Sequence, residues 1–223
     1  MSSQAIVSPV DKSTNVRVSG PLRAIGFALR ALDAVAPRLA TLAAVRLFLT
    51  PRRVLRPASE AKWVETATFG VRKIAGMKVA LRSWGQGAPI LLVHGWEGRG
   101  TQLGAFAAYL SESHRVIAPD LPAHGDSPGR KSNLLEFAAV IGALIEEFQP
   151  VAIIAHSFGA AATNVALQRV RFDGRLVYVA PPEDFTFFTT SFSAMLGIPE
   201  EMGKRMEQET ERRFGIRWSE LRG

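Results

Sequence analysis

Three short runs carry residue types able to do nucleophilic chemistry. The strongest is AHSFG, residues 155–159, where the apolar run VAIIAHS gives way to the small-residue stretch FGAAATNVALQRV. A serine at the junction of a buried strand and a helix reads as a nucleophile elbow, a sharp turn that lifts the side chain clear of the sheet. Backbones pass close together at such a turn, so small neighbours are needed. Gly159, Ala160 and Ala161 supply them after Ser157, and Ala155 stands where a first glycine is usual, with His156 between. The helix that follows points its positive end at the serine. The second run is HGWEGRG, residues 94–100, with His94 and Gly95 directly after the strand-like PILLV. Its backbone N–H groups are candidate donors to a developing oxyanion, each worth about 2.7–4 kcal/mol by mutational loss. The expected pair is the amide of Trp96 and the amide of Phe158, the residue after the nucleophile. The third run, PDLPAHGDS at 119–127, is a loop sequence ending a further strand. Asp120 and His124 are expected to bond within that loop and shape the pocket. His124 is not expected to be a general base, because its strand precedes that of the nucleophile.

These runs need a scaffold, and the pattern supplies one. From residue 62 onward short apolar runs alternate with longer helical ones. MKVALRSW (77–84) alternates like a half-exposed strand. PILLVHG (89–95), HRVIAPDLP (114–122), VAIIAHS (151–157) and RLVYVAPP (175–182) read as further strands. Thr101 is placed to cap a helix over about 102–111, and Asn133 with Glu136 forms an N-x-x-E cap for a helix to about 147. Uniformly apolar strands separated by helices indicate an α/β fold, a mostly parallel sheet with helices on both faces. Near the end, Pro199, Glu200 and Glu201 open a helix that Arg212, Arg213 and Gly215 close, in keeping with the helix dipole. Met202, Met206 and Phe214 are expected on its core face.

Composition limits the possibilities. The 223 residues contain 47% hydrophobic and 21% charged residues, enough apolar material for a buried core. With no cysteine, a thiol nucleophile, a disulfide scaffold and a thiolate metal site are excluded. No metal or organic cofactor is implied. The net charge of +7 is uneven: residues 1–60 hold nine basic and three acidic residues, and residues 61–223 hold 18 and 17. A nucleic-acid partner calls for a basic face on the folded domain itself, and the near-neutral second part gives no sign of one. Residues 1–20 read as a mobile leader without the features of a secretory signal. Residues 21–60 read as a basic helical extension, divided at Pro37, with a Pro/Arg linker at 51–60. Arginines interrupt residues 21–49 too often for a membrane span. Two expectations remain for this segment: helices lying on the core, or a basic amphipathic element making peripheral contact with an anionic membrane. The core is placed at 61–182 and a helical cap at 183–223. A cytoplasmic location is expected, with membrane association as its variant.

LLVHGWEGRG, PDLPAHGDS and AHSFG, in this order with helices between them, resemble the first two-thirds of an α/β-hydrolase-fold protein over about residues 75–182. The resemblance implies a serine hydrolase and a triad that runs Ser, then Asp or Glu, then His along the chain. This sequence departs from that order, since all four histidines (His94, His114, His124, His156) precede Ser157. Room for two further strands and helices is also lacking, so the sequence is expected to be a C-terminally truncated form of a longer chain. Of the later acids, Asp173 lies in a turn and takes no triad role, while Glu183 or Asp184 stands where an alternative triad acid would lie. The expectation is an esterase-like hydrolase of an ester, thioester or amide that works through an acyl-enzyme and is weakly active as this polypeptide. The phenylalanine-rich FTFFTTSF (185–192) points to an apolar cap and a small-molecule substrate that is an acyl or lipid-like ester and not a charged compound. Acyl transfer to another acceptor uses the same serine. The alternative from a different class is a non-catalytic binding or membrane-associated module of the same fold.

Overall fold

The computed structural model describes residues 20–218. The leader assigned to residues 1–20 lies outside the described residues, except that Gly20 opens the first helix. Two helices come first, α1 (Gly20–Val35) and α2 (Pro37–Phe48), with Pro37 in the first turn of the second, as its fixed φ and missing N–H favour. After the short helix α3 (Ala61–Glu65) come β1 (Thr68–Ile74), β2 (Met77–Trp84), β3 (Pro89–Val93), α4 (Gly104–Leu110), β4 (Arg115–Asp120), α5 (Leu134–Phe148), β5 (Ala152–His156), α6 (Phe158–Leu167) and β6 (Arg175–Val179). Two more helices follow, α7 (Thr186–Leu196) and α8 (Glu200–Phe214).

The six strands form one sheet in the order β1-β2-β4-β3-β5-β6. The β3–β4, β3–β5 and β5–β6 pairs are parallel, and β1–β2 and β2–β4 are antiparallel. Period-2 alternation divides the strand residues between two cores. Leu91, Val93, Ile117, Ile153 and Ala155 face α5 and α6, where Phe137, Ile141 and Val165 meet them. Ile90, Leu92, Val116, Ala118 and Ile154 face the other way, onto Leu103, Ala107 of α4 and Trp63 of α3. The fold class read from the sequence is therefore the observed one.

Four local expectations need correction. The strand β1 has no counterpart in the sequence reading, because it is an edge strand with Phe69 and Val71 exposed, and so lacks a buried alternating face. It joins β2 through Ala75 and Gly76, both at positive φ (47° and 81°), a tight hairpin turn. Second, β2 is not half-exposed: Val79, Ala80, Leu81, Arg82 and Trp84 are all buried, because β2 lies inside the sheet between β1 and β4. Third, Thr101 does not cap a helix. It sits within a 3-10 turn (Gly100–Leu103) capped by Arg99, and its hydroxyl instead donates to Glu60. Fourth, residues 51–60 are not a free linker but bind the loops of the site, as described below. Asn133 does cap α5, accepting the Glu136 N–H at 3.0 Å, and Gly215 ends α8 in the left-handed conformation.

The first two helices and the last two share one core. Leu29, Ala40, Ala44 and Val45 pack with Leu196, Ile198, Met202 and Met206, and the Phe48 and Phe192 rings meet edge to face at 5.3 Å. Arg205 of α8 donates to Asp33 of α1 and, at 3.1 Å, to the Thr41 hydroxyl of α2. Gly26 admits the carbonyl of Leu196, which a Cβ there would meet at 1.8 Å. The segments read separately as an N-terminal extension and a cap are in contact as one helical layer. Among the described residues, no helix is long and apolar enough to cross a membrane.

Candidate active site

The apolar strand β5 ends at His156 and α6 begins at Phe158, so Ser157 alone makes the turn. Its backbone stands at φ 50°, ψ −120°, a conformation that costs a non-glycine residue about 1–3 kcal/mol unless its surroundings hold it. What holds it is a hydrogen bond from its N–H to Val179 O of β6 at 3.0 Å and one from the Ala160 N–H to its carbonyl at 2.9 Å. Gly159 explains the small residue after the turn. A Cβ there would lie 2.4 Å from His94 O and 2.8 Å from Val93 Cγ1, so only glycine lets α6 approach the end of β3.

The loop after β3 adjoins the serine. A Cβ on Gly95 would fall 3.1 Å from His156 Nδ1 and 3.2 Å from Ser157 Cβ, which brings Gly95, His156 and Ser157 together. Trp96 comes next, and its ring stands 5.1 Å from that of Phe158. Neither the Trp96 amide nor the Phe158 amide has a hydrogen-bond partner among the described residues, although their neighbours do: Gly98 N–H reaches Gly95 O at 3.0 Å.

The histidines have separate fates. His94 is buried, and its Nε2 accepts the Leu121 N–H at 2.9 Å. A backbone amide can only donate, so the ring proton is on Nδ1, which gives it to Gly95 O at 2.7 Å. Both nitrogens are used, and burial lowers the pKa to about 4, with Arg99 and His156 adding to the effect against the Gly95 carbonyl. His124 is also buried, in a cage with Trp96 at 4.9 Å and Phe137 at 5.0 Å, and its Nδ1 pairs with Pro122 O at 2.8 Å. Burial, then the neighbouring His94, takes its pKa to about 3, and its Nε2 has no partner. Among the described residues no histidine nitrogen is hydrogen-bonded to the Ser157 hydroxyl. Asp120 sits fully buried in the third loop. Its carboxylate accepts from the amides of Gly100 at 2.7 Å and Asp126 at 2.8 Å, and pairs with Arg82 at 3.2 Å. Burial raises its pKa against these partners. It ties the 94–100 and 119–127 loops together. Of the later acids, Asp173 pairs with Arg171 on the surface, Glu183 is exposed, and Asp184 caps α7 through the Phe187 N–H at 3.1 Å.

Sequence reasoning missed the residues that fasten these loops from outside. Arg52 makes a bidentate pair with Glu97, Arg53 donates to the carbonyls of Gly125, Ser127 and Gly129, and Arg56 pairs with Asp126. Glu60 takes two hydrogen bonds from buried Arg99, at 2.8 and 2.7 Å. The signal was present as charge: PRRVLRP has three arginines and no acid, while Glu97, Asp120 and Asp126 sit in the motif loops.

A cavity of about 300 Å³ lies between this site and the helical layer. Trp96 and Phe158 line it from the sheet side, and residues of α1, α2, α7 and α8 line it from the other. Ser157 and His156 are half-buried and do not line it.

A family model described as the alpha/beta hydrolase family matches residues 90–222. An uncharacterized protein of Mycobacterium tuberculosis is 32% identical over 134 residues, which is 58% of this chain and 38% of that protein. A pimeloyl-[acyl-carrier protein] methyl ester esterase of Methylococcus capsulatus is 34% identical over 96 residues, 43% of this chain and 36% of the esterase. Among solved structures, the thioesterase domain from the curacin biosynthetic pathway aligns with a TM-score of 0.48 and 27% identity, over 53% of this chain and 46% of that one. The matched region is about two-fifths of the length of the curated relatives. With a family model running from β3 through α8, across the strand, the strained serine turn and the helix after it, the chain belongs to the alpha/beta hydrolase family.

Proposed function

We propose that the chain carries the acylation half of a hydrolase site, in which Ser157 attacks the carbonyl carbon of an ester, thioester or amide. The Oγ–C bond forms as the Oγ–H bond breaks, and the carbonyl oxygen takes the negative charge opposite the amides of Trp96 and Phe158. Collapse breaks the bond to the leaving group, which departs as the alcohol, thiol or amine with the serine's proton delivered through solvent. Water then releases the acyl group. The observation that carries this reading is the Ser157 turn at φ 50°, with Gly95 against its side chain and the amides that follow Gly95 and Ser157 in the chain without hydrogen-bond partners among the described residues. Two such donors account for about 5–8 kcal/mol of transition-state stabilisation if each contributes as in other hydrolases. The hydrolase family and the esterase relative support the reaction class.

No histidine in this polypeptide holds the hydroxyl proton, so the serine keeps an ordinary hydroxyl and acylates slowly. The test is an activated ester, p-nitrophenyl octanoate, followed by mass spectrometry of the peptide containing Ser157. Slow octanoylation of that peptide is expected, lost in Ser157→Ala and accelerated by added imidazole, which supplies an external base. A fluorophosphonate is expected to label weakly for the same reason. Octanoyl groups on lysines alone, unchanged by Ser157→Ala, refute the proposal.

A second reading concerns the outer face of the N-terminal helices. Phe27, Val35 and Leu39 are exposed there beside Arg23 and Arg38, a combination suited to peripheral contact with an anionic membrane.

A further inference from the structure

The cavity between the sheet and the helices has no assigned ligand, and its walls narrow the choice. Apart from the Ser191 hydroxyl and the Trp96 indole N–H, the polar side chains facing it are already engaged. Arg52 and Glu97 hold each other, Asn133 caps α5, the Thr50 hydroxyl donates to Arg46 O at 2.7 Å, and the Thr189 hydroxyl bonds within the helical layer to Thr186 O and Glu207. No unpaired charge in the wall awaits a charged ligand. The remaining surface is aliphatic and aromatic. It includes Leu22 of α1 and Leu47 and Phe48 of α2, opposite Trp96 and Phe158. Phe158 directly follows Ser157, and Trp96 directly follows Gly95, the glycine packed against the serine, so the cavity adjoins the candidate site at its floor.

We infer that this cavity is an acyl-chain site and that α1 and α2, far from the motifs in sequence, form the wall that sets chain length. The inference rests on the hydrolase reading for the chemistry at the head of the chain, but the binding itself does not require Ser157. Size gives the chain class. An apolar cavity of about 150 Å³ accepts a benzene, so roughly 300 Å³ accommodates a straight chain on the order of ten carbons. Each methylene moved from water into such a wall strengthens binding about fourfold. The wall also explains a feature of the helical layer: the Phe48–Phe192 edge-to-face pair joins α2 to α7, and both rings line the space. Seating of α1 and α2 on α7 and α8 therefore determines how long the cavity is.

The test uses the full chain carrying Ser157→Ala and reads indole fluorescence, since Trp96 and Trp218 both face the cavity. The probes are hexanoate, decanoate and palmitate. Affinity is expected to rise steeply from hexanoate to decanoate and to gain nothing further with palmitate. Leu47→Trp, at a position 39% exposed and tolerant of a larger side chain, is expected to weaken decanoate at least tenfold and leave hexanoate unchanged. Leu22→Trp, on the other N-terminal helix, provides the same measurement if the first variant fails to fold. Affinity independent of chain length, or decanoate binding untouched in both folded variants, overturns the inference. Chain-selective binding without acylation of Ser157 in the parent protein leaves this site standing and removes the nucleophile reading instead.

Discussion

Acid should unfold this protein by way of two histidines, and the size of the effect follows from their burial. An imidazole in the unfolded chain titrates near 6.5, whereas His94 in the fold is held at about 4 and His124 at about 3. Between those limits the unfolded chain binds protons that the folded chain refuses. For a depressed pKa the stabilisation is fully present above pH 6.5 and is lost as pH falls toward 4. The slope for each histidine is about 1.4 kcal/mol per pH unit once the unfolded chain is protonated. Together they make about 2.7 kcal/mol per unit, against a total stability on the order of 10 kcal/mol. Asp120 works in the opposite sense, since burial raises its pKa, and any stability it contributes is present at low pH and lost as pH rises. A comparison of variants separates the two. His124→Phe keeps a ring between Trp96 and Phe137 and removes the titrating group, while Asp120 remains in both proteins. Urea denaturation at a series of pH values from about 7 to about 4.5 gives the free energy of unfolding in water at each. The slope below pH 6 should fall by about 1.4 kcal/mol per unit in the variant. Parallel curves for the two proteins would falsify the claim that His124 is kept neutral by its cage. The outcome also bears on chemistry: a structural role for these two histidines agrees with their backbone bonds and with the absence of a hydrogen bond from either to the Ser157 hydroxyl among the described residues.

Two further outcomes test the scaffold and its surroundings. Gly159→Ala should destabilise the fold by at least about 2 kcal/mol, because the new methyl meets His94 O at 2.4 Å and must push α6 from the sheet. In a protein of this size that is a fall in Tm of about 4–8 °C, measurable by calorimetry, and an unchanged Tm contradicts the close packing described. Co-sedimentation of the full chain with phosphatidylserine vesicles should be salt-sensitive and weakened by Phe27→Glu, if the exposed face of α1 and α2 meets a membrane. Absence of binding at low salt removes that reading.

The sequence by itself determined the fold class, because buried parallel strands and the helices between them leave distinct apolar periods in the chain. It also placed Ser157 at a strand–helix junction and marked Gly159 as necessary, since local backbone conformation is written in local residue choice. It placed Asn133, Pro37 and Gly215 at helix ends for the same reason. Contacts between segments far apart in the chain were not legible in this way. Nothing local distinguishes Arg52, Arg53 and Arg56 in a linker from the same arginines gripping the motif loops, because a charge shows its partner only once the chain has folded. The tautomer of His94 depends on an amide 27 residues away. The apolar phenylalanines of 185–192 pointed to a cap, but the other wall of the cavity comes from residues 22–48, about 140 positions earlier in the chain. Hydrophobic burial has no direction along the sequence. Which apolar face covers which, and what space they enclose between them, was settled only by the tertiary structure.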